Sequence, residues 1–188
     1  MTTEKTLSSQ MIYEGRAVKL RIDTVAMPGG RQTTREIVEH ADCVAIVAID
    51  AENKTLMVKQ FRKAVGKELL EIVAGGIDDG ETPEMAVRRE MQEETGFLPR
   101  KIEGLGGFYS APGFMTEYLY LYLATDLVPS RLVAEDTESI KPVRVPLEQI
   151  PGLIASGAIC DAKSITGLLT YLYLTRTSRN HLVFNTGL

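Results

Sequence analysis

Histidine and cysteine are both scarce in this chain of 188 residues, and that scarcity narrows the chemistry open to it. There are two of each, His40 and His181, and Cys43 and Cys160. The cysteines are far apart and lack metal-ligand spacing, so we expect neither a disulfide framework nor a zinc site, and a reducing cytoplasm fits. Catalysis by histidine has few candidates, and oxygen-ligand metals are favoured over zinc.

Long apolar runs and an excess of positive charge are also missing. No stretch approaches the roughly 18 apolar residues that suggest a membrane span, and the opening residues MTTEKTLSSQM lack the apolar segment of a signal peptide. The net charge of −4 argues against a nucleic-acid partner, because non-specific binding relies on Lys and Arg to neutralise phosphates. The length suits one domain, or one domain with an extension.

Hydrophobic alternation and turn residues predict an α+β protein, rich in strands, with one internal helix and two closing helices. Strands are predicted at 9–14, 17–27, 32–40, 43–49, 55–62, about 101–109, 117–127 and 141–147. Helices are predicted at 82–95, about 147–156 and 161–176, and a polar, acidic loop at 131–140. This order favours a mixed sheet with helices packed against it.

The internal helix carries three glutamates near its end. Glu90 and Glu94 are one turn apart on one face, and Glu93 lies within reach of that face. Like charges so placed repel each other and oppose the helix dipole, so stability alone disfavours them. Two explanations stay open at this point: a solvated helix end in which Arg88 and Arg89 pair with the glutamates, or a bound divalent cation such as Mg²⁺.

The acidic residues belong to a longer pattern. From Gly75 to Phe97 the chain reads GGIDDGETPEMAVRREMQEETGF, which fits G-x5-E-x7-R-E-U-x-E-E-x-G-U at every defined position, where U is aliphatic or aromatic. This stretch resembles the Nudix box. The resemblance implies a Nudix hydrolase, an α/β/α sandwich with a mixed sheet and an N-terminal β-hairpin extension, which cleaves a nucleoside diphosphate linked to another group.

The resemblance also assigns roles to individual residues. It implies a divalent metal, Mg²⁺ or alternatively Mn²⁺. The expected metal ligands are the carbonyl of Ala74 and the carboxylates of Glu90, Glu93, Glu94 and Glu138. Arg89 is expected to orient the carboxylates through a bidentate pair, and Glu81 to tie the loop to the helix.

Three features outside the box resemble the ADP-ribose pyrophosphatase group of this family. Arg62, in MVKQFRKAVGKELLEIVAGGID, matches an arginine that reaches substrate phosphate. Pro112 follows Gly96 by 16 residues, as in that group, although the usual S-P-G reads A-P-G here. AEDTESI resembles an acidic loop over the metal centre and contains Asp136 and Glu138. The implied reaction is Mg²⁺-dependent hydrolysis of ADP-ribose to AMP and ribose 5-phosphate.

The same resemblance suggests substrate contacts and a general base. The expected substrate-binding residues are Arg35, Glu36, Arg62, Pro112, Gly113 and Glu117. The base must reach the attacking water, and Glu138 is preferred to Glu93, with Asp136 as a further candidate. Another nucleoside diphosphate sugar stays open as the substrate. A domain that binds ADP-ribose without cleaving it is a more distant alternative, although such a domain would be expected to lose box carboxylates.

The resemblance finally implies an organisation. Residues 1–40 are expected to form a dimerising β extension, residues 41–177 the Nudix domain, and residues 178–188 a C-terminal tail. Related enzymes are homodimers that exchange N-terminal strands, so we expect a cytoplasmic homodimer that acts on a small nucleotide sugar and binds neither nucleic acid nor membrane.

Overall fold

The computed structural model describes residues 3–134 and 139–183, with side chains up to residue 177. The chain divides into two compact units. One contains the residues up to Asp42 together with Phe108–Tyr118, and the other contains Cys43–Gly107 and the chain from Leu119 onward. In the described part of the chain, no helix has both the length and the apolar character needed to cross a membrane.

The N-terminal unit is built on a three-stranded antiparallel sheet in the order β1-β2-β3. Its strands are β1 (Lys5–Glu14), β2 (Lys19–Ala26) and β3 (Gln32–Glu39). The three strands predicted in this region are confirmed, and β1 begins four residues earlier than the predicted residue 9. All ten residues of β1 are exposed, on both faces of the strand.

The second unit is organised by a six-stranded sheet in the order β7-β8-β4-β6-β5-β9. These strands are β4 (Cys43–Ile49), β5 (Lys54–Arg62), β6 (Lys67–Gly76), β7 (Phe97–Tyr109), β8 (Tyr118–Pro129) and β9 (Lys141–Pro146). β4 runs parallel to β8 and antiparallel to β5 and β6, so the predicted mixed sheet is confirmed. β6 is not among the predicted strands, because the charges in KELLEIVAGG interrupt its apolar alternation.

In the described ranges 3–134 and 139–183, three α-helices accompany this sheet: α1 (Pro83–Glu90), α2 (Ile150–Ala155) and α3 (Ala162–Val183). A π-helical turn, Met91–Thr95, continues α1, so the predicted helix at 82–95 has the right extent but is not α-helical throughout. A 3₁₀ turn, Leu147–Gln149, precedes α2. α3 runs seven residues past its predicted end at 176, since no glycine or proline interrupts TYLYLTRTSRNHLV.

The helices pack on both faces of the six-stranded sheet. On one face, Val44 and Ile46 of β4 share a buried cluster with Val87 and Met91. On the other face, the side chains of Val47, Ile72 and Leu121 lie close to Gly167 of α3. Every residue of β4 is buried, as its continuous apolar run predicts. This layering confirms the α/β/α sandwich and places the end of β6 beside α1.

Candidate active site

The site is built at the end of β6 and along α1 and the π turn. The last four residues of β6, from Val73 to Gly76, pair with β4, which fixes the strand end in the sheet. The side chain of Thr82 accepts a hydrogen bond from the Met85 N–H at 3.3 Å and caps α1. Gly96 ends the π turn with φ 79°, a left-handed conformation that favours glycine.

Gly75 is needed for the close approach of Glu90 to β6. A Cβ atom built on Gly75 would overlap the Glu90 carboxyl group, so any side chain at residue 75 would displace this glutamate. Glu90 is 9% exposed, and burial raises the pKa of its carboxyl group above the ordinary value, although Arg89 opposes the rise. The first glycine of the box therefore makes room for a carboxylate.

Arg89 joins the loop to the carboxylates. Its guanidinium donates two hydrogen bonds to Glu81, from Nε at 3.0 Å and from Nη2 at 2.8 Å. Nη1 contacts Glu90 at 2.5 Å and Glu93 at 3.3 Å, and Nη2 also donates to the Gly76 carbonyl at 2.8 Å. The bidentate partner of Arg89 is thus Glu81, and the hydrogen bonds from Arg89 lower the pKa of Glu81. The two acidic neighbours on the helix receive single contacts.

Glu94 is the most perturbed carboxyl group of the site. It is 6% exposed, and burial together with the charge of Glu90 raises its pKa to about 8. The charges of Arg62 and Lys163 and a hydrogen bond from the Ala74 backbone act in the opposite direction. Its Oε2 atom is buried and has no hydrogen-bond partner among the described residues. A buried carboxylate oxygen without a partner is costly unless a cation or a proton joins it.

The donor set fits a hard divalent cation. Arg89 pairs with the carboxylates of Glu90 and Glu93, and the charge of Glu90 acts on the buried carboxyl group of Glu94. All the available donors are oxygens, which Mg²⁺ and Mn²⁺ prefer, and the unpartnered oxygen of Glu94 is an open acceptor. The cation explanation for the crowded glutamates therefore has a specific buried atom to support it.

Arg62, expected at substrate phosphate, is engaged in a network that the sequence analysis missed. Its Nε and Nη2 donate to the two carboxylate oxygens of Glu71 at 2.9 and 2.7 Å. Lys163 also contacts Glu71, and it donates to Asp161 at 2.9 Å. A glutamate inside the otherwise apolar run LLEIVA was the signal in the sequence, because a charge on a buried strand needs partners.

The remaining predicted substrate residues belong to the N-terminal unit. They are Arg35, Glu36, Pro112, Gly113 and Glu117. Arg35 forms a two-point ion pair with Glu4, with distances of 3.1 Å from Nε and 2.5 Å from Nη2. Pro112 and Gly113 lie in a turn closed by hydrogen bonds from Phe114 and Met115 to the Ala111 carbonyl, at 3.1 and 3.0 Å.

Two of the acidic residues assigned from the sequence cannot be placed. Glu138 and Asp136 lie outside the described residues. Of the three candidate bases, Glu93 is the one whose position is known. Its carboxylate lies 3.3 Å from Arg89, on the same side as Glu90.

Comparison with known protein families decides the identity of this loop–helix arrangement. The NUDIX domain matches residues 39–167, a range that includes β6, α1 and the carboxylate cluster. The chain belongs to the Nudix family of hydrolases. The nucleoside diphosphate sugar hydrolase N-terminal domain matches residues 4–38, the three-stranded region before it. Nudix membership implies dependence on a divalent metal, in agreement with the donor set.

Individual Nudix relatives carry different names. An ADP-ribose pyrophosphatase of Bacillus subtilis (strain 168) is 36% identical over 86% of this chain and 88% of its own length. A methanol dehydrogenase activator of Bacillus methanolicus is 38% identical over 91% of this chain and 93% of its own. A GDP-mannose pyrophosphatase of Escherichia coli O1:K1 / APEC is 32% identical over 75% and 78%. Relatedness alone therefore leaves several substrates open.

A solved structure supports the fold. The crystal structure of an ADP compounds hydrolase matches with a TM-score of 0.87 and covers 95% of this chain and 97% of that chain, at 20% sequence identity. At that identity the likeness establishes the Nudix fold and nothing about the substrate.

Proposed function

We propose that this Nudix hydrolase cleaves the pyrophosphate bond of ADP-ribose to AMP and ribose 5-phosphate, with Mg²⁺ as its metal and Mn²⁺ as the alternative. The observation that carries hydrolysis is the carboxylate cluster of Glu90, Glu93 and Glu94, in which the buried Oε2 atom of Glu94 has no hydrogen-bond partner among the described residues. The choice of ADP-ribose is supported by the 36% identity to the Bacillus subtilis ADP-ribose pyrophosphatase.

Each residue of the cluster has a distinct part in this proposal. Glu90 and Glu94, with the Ala74 carbonyl and with Glu93 and Glu138 as further ligands, would hold the cation, which when bound neutralises charge on the pyrophosphate oxygens. Arg89 keeps the loop and the helix together through Glu81 and steadies Glu90. A buried site of this kind strengthens the attraction between fixed positive charges and the negative charge that develops on the substrate in the transition state.

A water molecule attacks phosphorus, and a carboxylate must accept its proton. Glu138 and Glu93 are the candidate bases, with Glu138 preferred and Asp136 as a third. Comparing kcat for the variants Glu138→Gln, Asp136→Asn and Glu93→Gln tests which of these residues is the general base. Loss of the pH-dependent limb of kcat is expected only in the variant that lacks the base.

Substrate contacts complete the proposal. We assign Arg62 to a substrate phosphate, and Arg35, Glu36, Pro112, Gly113 and Glu117 to binding of the remainder of the nucleotide sugar. The assignment of Arg62 is supported by the N–H groups of its Nη1 atom, which its pairing with Glu71 leaves without a partner among the described residues. Individual alanine substitutions at Arg35, Glu36, Arg62 and Glu117 are expected to raise KM for ADP-ribose.

The decisive experiment is a substrate panel with the purified chain. ADP-ribose and other nucleoside diphosphate sugars are incubated with Mg²⁺, with Mn²⁺ or with EDTA, and products are separated by ion-exchange chromatography. We expect AMP from ADP-ribose with metal and none with EDTA. If no AMP forms from ADP-ribose in the presence of either metal, the substrate assignment fails.

A second substrate class has its own support. The family match of residues 4–38 is to a nucleoside diphosphate sugar hydrolase domain, and GDP-mannose pyrophosphatases are among the relatives. A higher kcat/KM for GDP-mannose than for ADP-ribose would favour this alternative. Calorimetric binding of ADP-ribose without any product would instead favour a non-hydrolytic binding domain.

We further propose a cytoplasmic homodimer in which the extension at residues 1–40 exchanges strands with a partner copy. Residues 41–177 then form the hydrolase domain and residues 178–188 the C-terminal tail. The full exposure of β1 supports a partner surface, because apolar residues on both faces of a strand are seldom left in water. A chain with only two cysteines, one buried (Cys43) and one exposed (Cys160), fits a reducing compartment. Light scattering during size-exclusion chromatography measures the mass of the protein in solution, and twice 20.7 kDa is expected.

A further inference from the structure

A buried glutamate lies behind Arg62. Glu71 is 1% exposed in the middle of β6, whereas the Arg62 side chain, at the end of β5, is 41% exposed. Burial by itself raises the pKa of Glu71, but the hydrogen bonds from Arg62 and the charge of Lys163 outweigh burial and lower it. Glu71 is therefore a buried carboxylate held in its charged form by two cations.

The pairing with Glu71 uses one edge of the Arg62 guanidinium. Nε and Nη2 are used by the two oxygens of Glu71, in the two-point geometry that constrains a guanidinium most strongly. The N–H groups of Nη1 have no partner among the described residues. That free edge belongs to a partly exposed side chain whose charge already acts on the Glu94 carboxyl group.

Lys163 is the anchor on the other side of Glu71. It lies in the first turn of α3, its side chain is 17% exposed, and it bridges Glu71 and Asp161. Next to it, the buried Ser164 hydroxyl accepts a hydrogen bond from the backbone N–H of Ile72 at 2.9 Å. The start of α3 is thus fixed to β6 at two adjacent residues, one charged and one neutral.

The charges explain why one cation would not be enough. The charges of Glu71, Glu94 and Asp161 all favour the charged form of Arg62. Lys163 forms ion pairs with two of these three carboxylates, Glu71 and Asp161. Without Lys163, Glu71 would keep a single cationic partner, and the guanidinium would be drawn further into the carboxylates. With Lys163 present, Glu71 can hold Arg62 in one orientation while the positive edge stays available to an anion.

We propose that Lys163 and Glu71 are positioning residues that orient the Arg62 guanidinium to bind substrate phosphate. This inference rests on the proposed hydrolysis of a nucleoside diphosphate sugar. It assigns to the start of α3, far from the box in the sequence, a part in phosphate recognition that acts through Arg62 and needs no contact between Lys163 and the substrate.

The test is a double-mutant cycle on the full chain. Lys163→Met, Arg62→Ala and the double variant are compared by kcat and KM for ADP-ribose with Mg²⁺, and by calorimetric affinity for ADP-ribose in EDTA. Lys163→Met is expected to raise KM about tenfold with a smaller change in kcat, since it weakens binding rather than chemistry. In the Arg62→Ala background the same substitution should change KM by less than about twofold, because the effect acts through Arg62.

Ser164→Ala is the matched control. It removes the neutral tie between α3 and β6 and leaves the charged network in place, so it should lower the melting temperature while KM stays within about twofold of wild type. Lys163→Arg should restore most of the affinity that Lys163→Met loses. Lys163→Gln gives a second variant for the cycle if the methionine variant does not fold.

The outcomes separate this inference from the proposed function. The positioning role would be overturned if the effects of Lys163→Met and Arg62→Ala on KM are additive in an active enzyme. It would also be overturned if Ser164→Ala raises KM as much as Lys163→Met does. Either result would leave the proposed hydrolase activity intact. A wild type that binds ADP-ribose without cleaving it would overturn the proposed hydrolysis. The double-mutant cycle measured by calorimetric affinity would still test whether Lys163 acts through Arg62. A wild type that neither binds nor cleaves any nucleoside diphosphate sugar would overturn both.

Discussion

Glu90 can lie against β6 because residue 75 has no side chain. The neighbouring Gly76 is different: a Cβ atom built there meets no other atom within 4 Å. Two adjacent glycines of the same strand end thus have different requirements. One makes space for a buried carboxylate, and the other tolerates a methyl group.

Gly75→Ala is expected to lower kcat/KM for ADP-ribose by about a hundredfold, because Glu90, one of the residues that would hold the cation, is displaced. Product release with Mg²⁺ measures the effect. Gly76→Ala is the matched control and should keep near wild-type activity. Equal activity of the two variants would contradict the space requirement at residue 75.

The protonation of Glu94 makes the stability of the folded protein depend on pH. Its pKa of about 8 in the folded protein lies above the ordinary 4.5, so the folded state holds this proton more tightly than the unfolded state does. Its contribution to stability is complete below about pH 4.5 and is lost as the pH rises through about 8. The protein in EDTA should therefore lose stability across this window, and Mg²⁺ should restore more stability at the upper end, because the cation prefers the charged carboxylate.

Melting temperatures of wild type and Glu94→Gln, each in EDTA and in Mg²⁺ from pH 5 to 9, test this. The glutamine variant should have a flatter profile, lose the Mg²⁺ response, and cleave ADP-ribose on the order of a hundredfold more slowly or worse. Parallel pH profiles for the two proteins would contradict the assignment, as would near wild-type turnover of Glu94→Gln.

At the scale of elements, the acidic helix is two structures joined at Glu90. The α-helical part, Pro83–Glu90, is followed by the π turn, Met91–Thr95, which carries Glu93 and Glu94. π turns inside α-helices are rare overall, but the ones that occur are often found at functional sites. Here the turn ends at Gly96, whose φ of 79° reverses the chain into β7.

Gly96→Ala is expected to destabilise the protein by about 1–2 kcal/mol, because an alanine must adopt a left-handed conformation there. Urea unfolding followed by circular dichroism measures the loss. Gly104→Ala, in β7 and without a positive φ, is the control and should cost less. A loss for Gly96→Ala no greater than that of the control would show that the left-handed cap is not required.

At the scale of the whole molecule, the six-stranded sheet gathers distant parts of the chain around β6. The first part of β6 pairs with β5 and brings Glu71 to Arg62, and its last four residues pair with β4 beside α1. α3 then returns near the end of the chain and places Lys163 on Glu71. The N-terminal sheet, in contrast, has an outer strand exposed along its full length.

Ile12→Lys is expected to convert the proposed dimer into a monomer, since it places a charge among the exposed apolar residues of β1. These include Leu7, Met11, Ile12 and Tyr13, each between 45% and 59% exposed. Mass by light scattering decides the result, and Lys5→Glu at the start of the same strand controls for charge alone. A monomeric wild type would contradict strand exchange.

The sequence by itself determined the box, the mixed α+β class and most of the elements. The reason is locality: the residues from Gly75 to Phe97 form one loop and one helix, so spacing along the chain is enough to bring Arg89 and three glutamates together. β4 could also be predicted from the sequence, because a strand that is buried on both faces is apolar throughout.

The tertiary structure alone decided what depends on contacts between distant residues. No spacing rule relates Arg62 and Glu71 to Lys163, which is 92 residues from its glutamate partner. The overlap between a Cβ atom at residue 75 and Glu90 arises from the packing of a helix on a strand end. Burial also leaves Oε2 of Glu94 without a partner among the residues that the structure describes. Burial and pairing are properties of the packed chain, and they decide which of the crowded carboxylates pairs with Arg89 and which is buried.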